Sequence, residues 1–222
     1  MTPDQIEAES FRIIDREAGA HGFPPDEWRV VRRMIHTSAD FDYLRTVRIH
    51  PRAIPAGVAA IRAGRPVITD TNMARMGIRS RDLERFGGRV ACRMDDPATH
   101  AAARSAGTTR AAVAVTAAAD EMEGGIYVVG NAPTALVRLI ELVRAGRARP
   151  ALVVGLPVGF VNAAESKAAL AALDHPHITN HGRKGGSNVA AAVVNALILL
   201  ARETPGEAPG ASAPDHTEKR ST

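Results

Sequence analysis

Cysteine is almost missing from this chain: Cys92 is the single one among 222 residues. No intrachain disulfide can form, so a reducing compartment is expected. Aromatic residues are scarce as well, at 4%. The aromatic–basic interleaving of single-strand nucleic-acid binders is absent with them, and no nucleic-acid partner is expected. Long hydrophobic runs are missing too. The longest, Val189 to Ala201, is interrupted by Asn195 and falls short of the ~20 residues of a membrane span. The N-terminal segment is acidic and polar, without the basic-then-apolar form of a secretory leader. A cytoplasmic protein with no membrane association is the expectation. Neither the Gly-x-Gly-x-x-Gly spacing of a dinucleotide fold nor the Gly-Lys-Ser/Thr ending of a phosphate loop occurs. The eight histidines show no metal-ligand spacing with cysteines or carboxylates. Adjacent Asp95 and Asp96 rarely converge on one ion and read instead, with Pro97, as a helix start. No metal and no cofactor is expected.

What is present is aliphatic. Hydrophobic residues make up 45% of the chain, enough for a substantial core, and the formal charge is +4. The segment from Arg202 onward carries three basic and four acidic residues, which leaves the body at +5. That excess suits an anionic small molecule. Residues 204–222 hold little apolar mass and cannot offset the entropy of ordering, so they read as a disordered tail behind one domain spanning 1–203.

Within that domain, apolar strand-like runs alternate with helical periodicity. Thr2, Pro3 and Gln5 read as a capping box with proline at the first helical position. Ile6, Ser10, Ile13 and Ile14 then share one face. A second helix starts near Pro25 and buries Trp28, Val31 and Ile35. Strands are predicted at Thr46–Ile49, Pro66–Thr69, Arg89–Cys92, Ile126–Val129, Ala151–Val154 and His177–Asn180. Helical stretches follow at Pro55–Arg62, Thr108–Met122, Pro133–Arg144 and Ser187–Leu200. Such alternation predicts a parallel sheet covered by helices on both faces. Ligands of these sheets bind beyond the carboxyl ends of the strands. Asp70-Thr71, Met94-Asp95, Gly130-Asn131, Gly155-Leu156-Pro157 and His181-Gly182-Arg183 fall there.

Three segments carry the chemistry. Gly130-Asn-Ala-Pro-Thr-Ala-Leu136 leaves a strand and starts a helix, and offers Asn131 or the N–H groups of Thr134 and Ala135 to a ligand. Gly155-Leu-Pro-Val-Gly-Phe-Val-Asn-Ala-Ala-Glu-Ser-Lys167 is a glycine turn running into a helix. Gly182-Arg-Lys-Gly-Gly-Ser187 sets two cations, Arg183 and Lys184, beside Gly185 and Gly186 at a helix start. Glycine permits close backbone approach and a helix N-terminus directs free N–H groups at an anion. Arginine adds a bidentate fork and lysine a point charge. Two such turns suit a wide ligand bearing several negative groups. His36 closes the second helix within Arg33-Met-Ile-His-Thr-Ser-Ala-Asp-Phe41, on the same side as Arg33, and histidine can exchange a proton near neutral pH. Thr71 sits at the polar tip Asp70-Thr-Asn-Met73.

Together with Glu9-Ser-Phe-Arg-Ile-Ile14, these segments resemble, in order and over roughly residues 5 to 200, the precorrin-8X methylmutase family of cobalamin biosynthesis. The resemblance implies a three-layer α/β/α, flavodoxin-like fold and a homodimer. It implies an isomerase that moves a methyl group from C-11 to C-12 of precorrin-8X, or of cobalt-precorrin-8, giving hydrogenobyrinic or cobyrinic acid. It places the acid–base histidine at His36 and substrate contacts at Ser10 and Arg33. Thr71, Asn131, Gly155, Arg183, Lys184, Gly185 and Gly186 are the remaining expected substrate contacts. Lys184 lies where relatives vary. A non-catalytic tetrapyrrole carrier using the same slot is the alternative reading, and a nucleotide-binding regulatory domain of flavodoxin-like class a remoter one.

Overall fold

A computed structural model describes residues 1–203; the expectation for the segment 204–222 lies outside the described residues. Among the described residues, six strands form one sheet in the spatial order β1-β6-β5-β4-β2-β3. They are β1 (Val47–Ile49), β2 (Val67–Thr69), β3 (Val90–Cys92), β4 (Ile126–Val129), β5 (Leu152–Gly155) and β6 (His177–Asn180). β2 to β6 run parallel. Their order, read from β3, is the 2-1-3-4-5 arrangement of flavodoxin-like sheets.

β1 is the exception in this mainly parallel sheet: it lies antiparallel to β6, with Arg48 opposite Thr179. The preceding helix delivers the chain at the carboxyl edge of the sheet, where the Thr46 carbonyl accepts from the His181 N–H at 2.8 Å. Entering from that edge, β1 can only run against β6.

Period-two alternation divides the core. Ile126, Val128, Leu152 and Val154 face one helical layer, while Tyr127, Val129 and Val153 face the other. The first layer contains α1 (Pro3–Ala18), α2 (Pro25–Ser38), α4 (Ala53–Arg62), α5 (Asn72–Gly77) and α11 (Ser187–Arg202), with the short α3 (Tyr43–Thr46) and α6 (Ser80–Glu84) in the connections. α8 (Arg110–Ala117), α9 (Pro133–Arg144) and α10 (Ala163–Ala171) cover the second face, and α7 (Pro97–Ala106) packs on α8.

The helix starts follow their sequence signals. The Thr2 hydroxyl accepts from the Gln5 N–H, and the Gln5 side chain accepts from the Thr2 N–H. Proline opens α1, α2, α7 and α9, where its missing N–H costs nothing. The expected stripe of α1 is only partly realised. Ile14 is buried but Ile6 is 53% exposed, because the helix meets α2 along its later turns, through Phe11 and Ile14. α8 is shorter than expected. The chain has to turn back into β4, and does so through Gly124 at φ 66° and Gly125, which lies flush against Pro66.

α11 is the central helix. Its run from Val189 is buried almost throughout, and Gly57 of α4 leaves room for Leu197 at its surface. α2 runs antiparallel to it: Arg29, early in α2, pairs with Glu203 just past the end of α11. The C-terminus of α2 therefore arrives beside the N-terminus of α11, at the carboxyl edge of the sheet.

Candidate functional site

The chain leaves β2 for α5 on one face and β4 for α9 on the other, so the sheet opens between these adjacent strands. Such a topological switch point is where open α/β sheets hold their ligands. Asp70 sits there, 1% exposed. Its carboxylate accepts from the N–H groups of Gly130 at 2.9 Å, Asn131 at 2.9 Å and Ala132 at 2.8 Å. Burial pushes the carboxyl pKa up, the three amides oppose that, and the rise prevails.

This inverts part of the sequence reading. The amides of the Gly130 turn point inward to Asp70, and the Ala135 N–H donates to the Ala132 carbonyl. What the turn leaves outward is the exposed Asn131 side chain and, further along, the exposed Thr134.

Two further turns converge here. The Thr71 hydroxyl caps α5 by accepting from the Ala74 N–H at 3.1 Å, and shares a 2.9 Å hydrogen bond with the Ser187 hydroxyl. Gly130 lies beneath Ser187 so closely that a Cβ would stand 2.6 Å from the Ser187 Cα. Gly185 and Gly186, at φ 155° and 129°, carry the last turn across the exit of β5. The Gly186 N–H donates to the Leu156 carbonyl at 2.9 Å, and Gly185 abuts that same carbonyl. The β2, β4 and β6 exits are thus locked around the start of α11.

Gly155 is a correction. Expected at the ligand, it is buried within β5, and the space its side chain would need is filled by Leu170 and Leu136. Its carbonyl accepts from the Thr179 hydroxyl at 2.6 Å. Its lack of a side chain serves packing.

The two cations of the Gly182–Ser187 segment have different fates. Arg183 is exposed, with its guanidinium 5.4 Å from the centroid of the Phe160 ring. The Lys184 ammonium is engaged by two carboxylates, Asp40 at 2.6 Å and Asp42 at 2.6 Å, which hold it above the ordinary lysine value. Lys184 is therefore no free cation at the rim. Beneath it lies Lys167, fully buried, donating to Asn180 Oδ1 at 3.1 Å and to the Lys184 carbonyl at 2.5 Å. Burial brings its pKa down to about 8. Lys167 closes the Gly155 segment, and its place in that segment alone assigns it no role. A lysine inside an alanine-rich helix directly after a glycine turn was the available signal.

The helical side of the site collects the remaining expected residues. His36 stands exposed at the end of α2, its ring tilted against Phe11 at 5.1 Å. Arg33 lies one turn earlier and donates to both oxygens of Glu7, at 2.7 and 3.1 Å, with its guanidinium 4.8 Å from the Phe11 centroid. Ser10 follows Glu7 on α1 and donates to the Ile6 carbonyl at 2.8 Å. Arg33 and His36 thus pack against Phe11, which follows Ser10 on α1, while Thr71, Asn131, Arg183 and Gly185 edge the switch point and Gly186 is buried behind them. The Lys184 bridge to Asp40 and Asp42 joins the two groups. Sequence reading also missed the apolar rim: Phe160 is 84% and Val161 77% exposed in the β5–α10 loop, and Met73 and Met76 are exposed on α5.

Among the described residues, no three His, Cys, Asp or Glu side chains are arranged to hold a metal ion. No described helix is long and apolar enough to cross a membrane.

These features define a flavodoxin-like α/β protein that gathers a histidine, arginines, hydroxyls and exposed apolar side chains at the carboxyl edge of its sheet. The family model described as precorrin-8X methylmutase matches residues 5–200. The chain is 47% identical over 201 residues to a cobalt-precorrin-8 methylmutase of Priestia megaterium, covering 90% of this chain and 89% of that one. It is 42% identical over 194 residues to a precorrin-8X methylmutase of Pseudomonas aeruginosa, covering 86% and 93%. A crystal structure of the precorrin-8X methylmutase from Thermus thermophilus superposes with a TM-score of 0.83 at 48% identity, covering 89% of this chain and 96% of that one. The chain belongs to the precorrin-8X methylmutase family.

Proposed function

We propose that this protein is the isomerase that transfers the methyl group of precorrin-8X, or of cobalt-precorrin-8, from C-11 to C-12. The observation that carries the reading is the meeting of the His36 end of α2 with the cationic, glycine-rich turn before α11 at one edge of the sheet. The substrate is a flat, apolar ring edged by many carboxylates. Met73, Met76, Phe160 and Val161 offer apolar surface to the ring. Arg183, the Thr71 hydroxyl, the Asn131 amide and the Gly185 backbone offer polar groups to its arms. Ser10 and Arg33 complete the rim beside His36.

A 1,5-sigmatropic shift breaks and forms carbon–carbon bonds within one molecule. The protein therefore needs no nucleophile; it has to hold one tautomer and manage a proton. His36 exchanges that proton, a role worth ~100- to 10,000-fold in rate. Fixing the ring by its carboxylates contributes through orientation.

The exposed Phe160 and Val161 also suit a second copy of the chain closing over the site, in a cytoplasmic homodimer whose mass sedimentation velocity would read. Mixing the purified protein with precorrin-8X and following the visible spectrum tests the activity. Conversion to the hydrogenobyrinic acid spectrum supports it. Tight ring binding with an unchanged spectrum would leave a carrier instead.

A further inference from the structure

We propose that Lys184 is a positioning residue: it fastens the His36-bearing end of α2 to the anion-facing turn rather than binding a substrate carboxylate. The proposal rests on the methylmutase reading of the site.

Lys184 is held at both ends. Its carbonyl accepts from the buried Lys167 ammonium at 2.5 Å and from the Asn180 side-chain amide at 3.0 Å, so its backbone is tied to α10 and the exit of β6. Its own ammonium reaches across to Asp40 and Asp42. Those aspartates lie four and six residues beyond His36, in a loop with its own internal order. Ala39 takes a left-handed turn at φ 52°. The Asp40 N–H donates to the Ser38 hydroxyl at 3.3 Å, and the Asp42 N–H donates to Asp40 Oδ1 at 3.0 Å. Tyr43, directly after, is buried in the core. A continuous chain of contacts therefore runs from α10 through Lys167, Lys184 and Asp40 to the end of α2.

The partners of the ammonium are already supplied within the protein. Asp40 and Asp42 take up Lys184, and Asp42 also pairs with Arg45, so two cations and two carboxylates balance one another before any ligand arrives. Lys184 is about half exposed, and exposed ion pairs add little to global stability. Its substitution should therefore appear in the chemistry and not in unfolding. Small displacements of a positioned group cost up to ~100-fold in rate.

The test uses Lys184→Met in the full chain. Expected are a fall in kcat of ~10- to 100-fold, a KM close to that of the wild type and an unchanged thermal midpoint. Lys184→Arg should recover most of kcat, and the Asp40→Asn, Asp42→Asn pair should reproduce the defect. A raised KM with kcat intact would make Lys184 a substrate ligand and overturn the proposal, as would kinetics identical to the wild type. A second readout does not depend on turnover. The His36 imidazole proton signal, identified by its loss in His36→Ala, should shift or broaden in Lys184→Met and return in Lys184→Arg. An undisturbed His36 signal overturns the proposal even if the wild type proves inactive, whereas an inactive wild type with the expected signal change overturns only the methylmutase reading.

Discussion

The Asp70 carboxylate accepts the backbone N–H of Asn131 at 2.9 Å, and those of Gly130 and Ala132 on either side. One buried acid at the tip of β2 thereby sets the shape of the turn that leaves β4, and with it the gap between the two strands. Asp70→Asn keeps the volume but loses acceptor capacity and sets an NH2 group against at least one of the three donors. Each buried donor left unpaired costs about 1–3 kcal/mol. Urea denaturation should show a loss of at least one such increment; an unchanged midpoint would show that the turn holds its shape unaided.

Gly130→Ala probes the neighbouring contact. Its Cβ would meet the Ser187 backbone, at 2.6 Å from Cα and 3.0 Å from N. Backbone cannot rotate away as a side chain can, so the start of α11 must shift. Overpacking of this kind costs about 1–3 kcal/mol. Thermal melting should register it, and substrate KM should rise as the Thr71–Ser187 hydrogen bond opens. Wild-type values for both would show that the two segments are free to separate.

His36→Ala removes the proposed proton-exchanging group from an exposed helix end, away from the core. Turnover should fall ~100- to 10,000-fold while product-ring binding, measured by fluorescence quenching or calorimetry, persists. Full activity in the variant would remove the imidazole from the mechanism.

The opposite edge of the sheet predicts a pH response of stability. His175 and His177 are held below the ordinary value of 6.5, chiefly by burial, with His177, Arg52 and His50 adding like charge around His175. On acidification from about pH 6.5 the unfolded chain takes up protons that the folded chain refuses. The unfolded state then binds more protons, so stability falls with pH from there down to the folded-state values. The thermal midpoint should drop between pH 7 and 5. Replacing both residues by glutamine should flatten that slope; an unaltered slope would place the acid sensitivity elsewhere.

Much of this architecture was legible in the sequence because the signals were local. All six strands stand where short apolar runs end in polar or glycine residues, and Pro133 and Ser187 mark the starts of their helices. The direction of β1 was not legible, since it depends on where α2 delivers the chain. The four- to six-residue helices α3, α5 and α6 carry too few residues to show a period. At the site, Gly155 and Gly185 look alike in sequence; only the packing shows one filled against by Leu170 and the other laid over the Leu156 carbonyl. Lys184 read as a free cation because Asp40 and Asp42 lie more than a hundred residues away, with no local signature of the pairing.

The most direct test of the central claim follows the migrating carbon itself. Precorrin-8X labelled with carbon-13 in the C-11 methyl group is incubated with the protein and read by NMR. The label should leave C-11 and appear at C-12 with no loss to solvent or to another molecule. A label that stays at C-11, with the ring bound to folded protein, would contradict the assignment of this edge of the sheet as a methylmutase site.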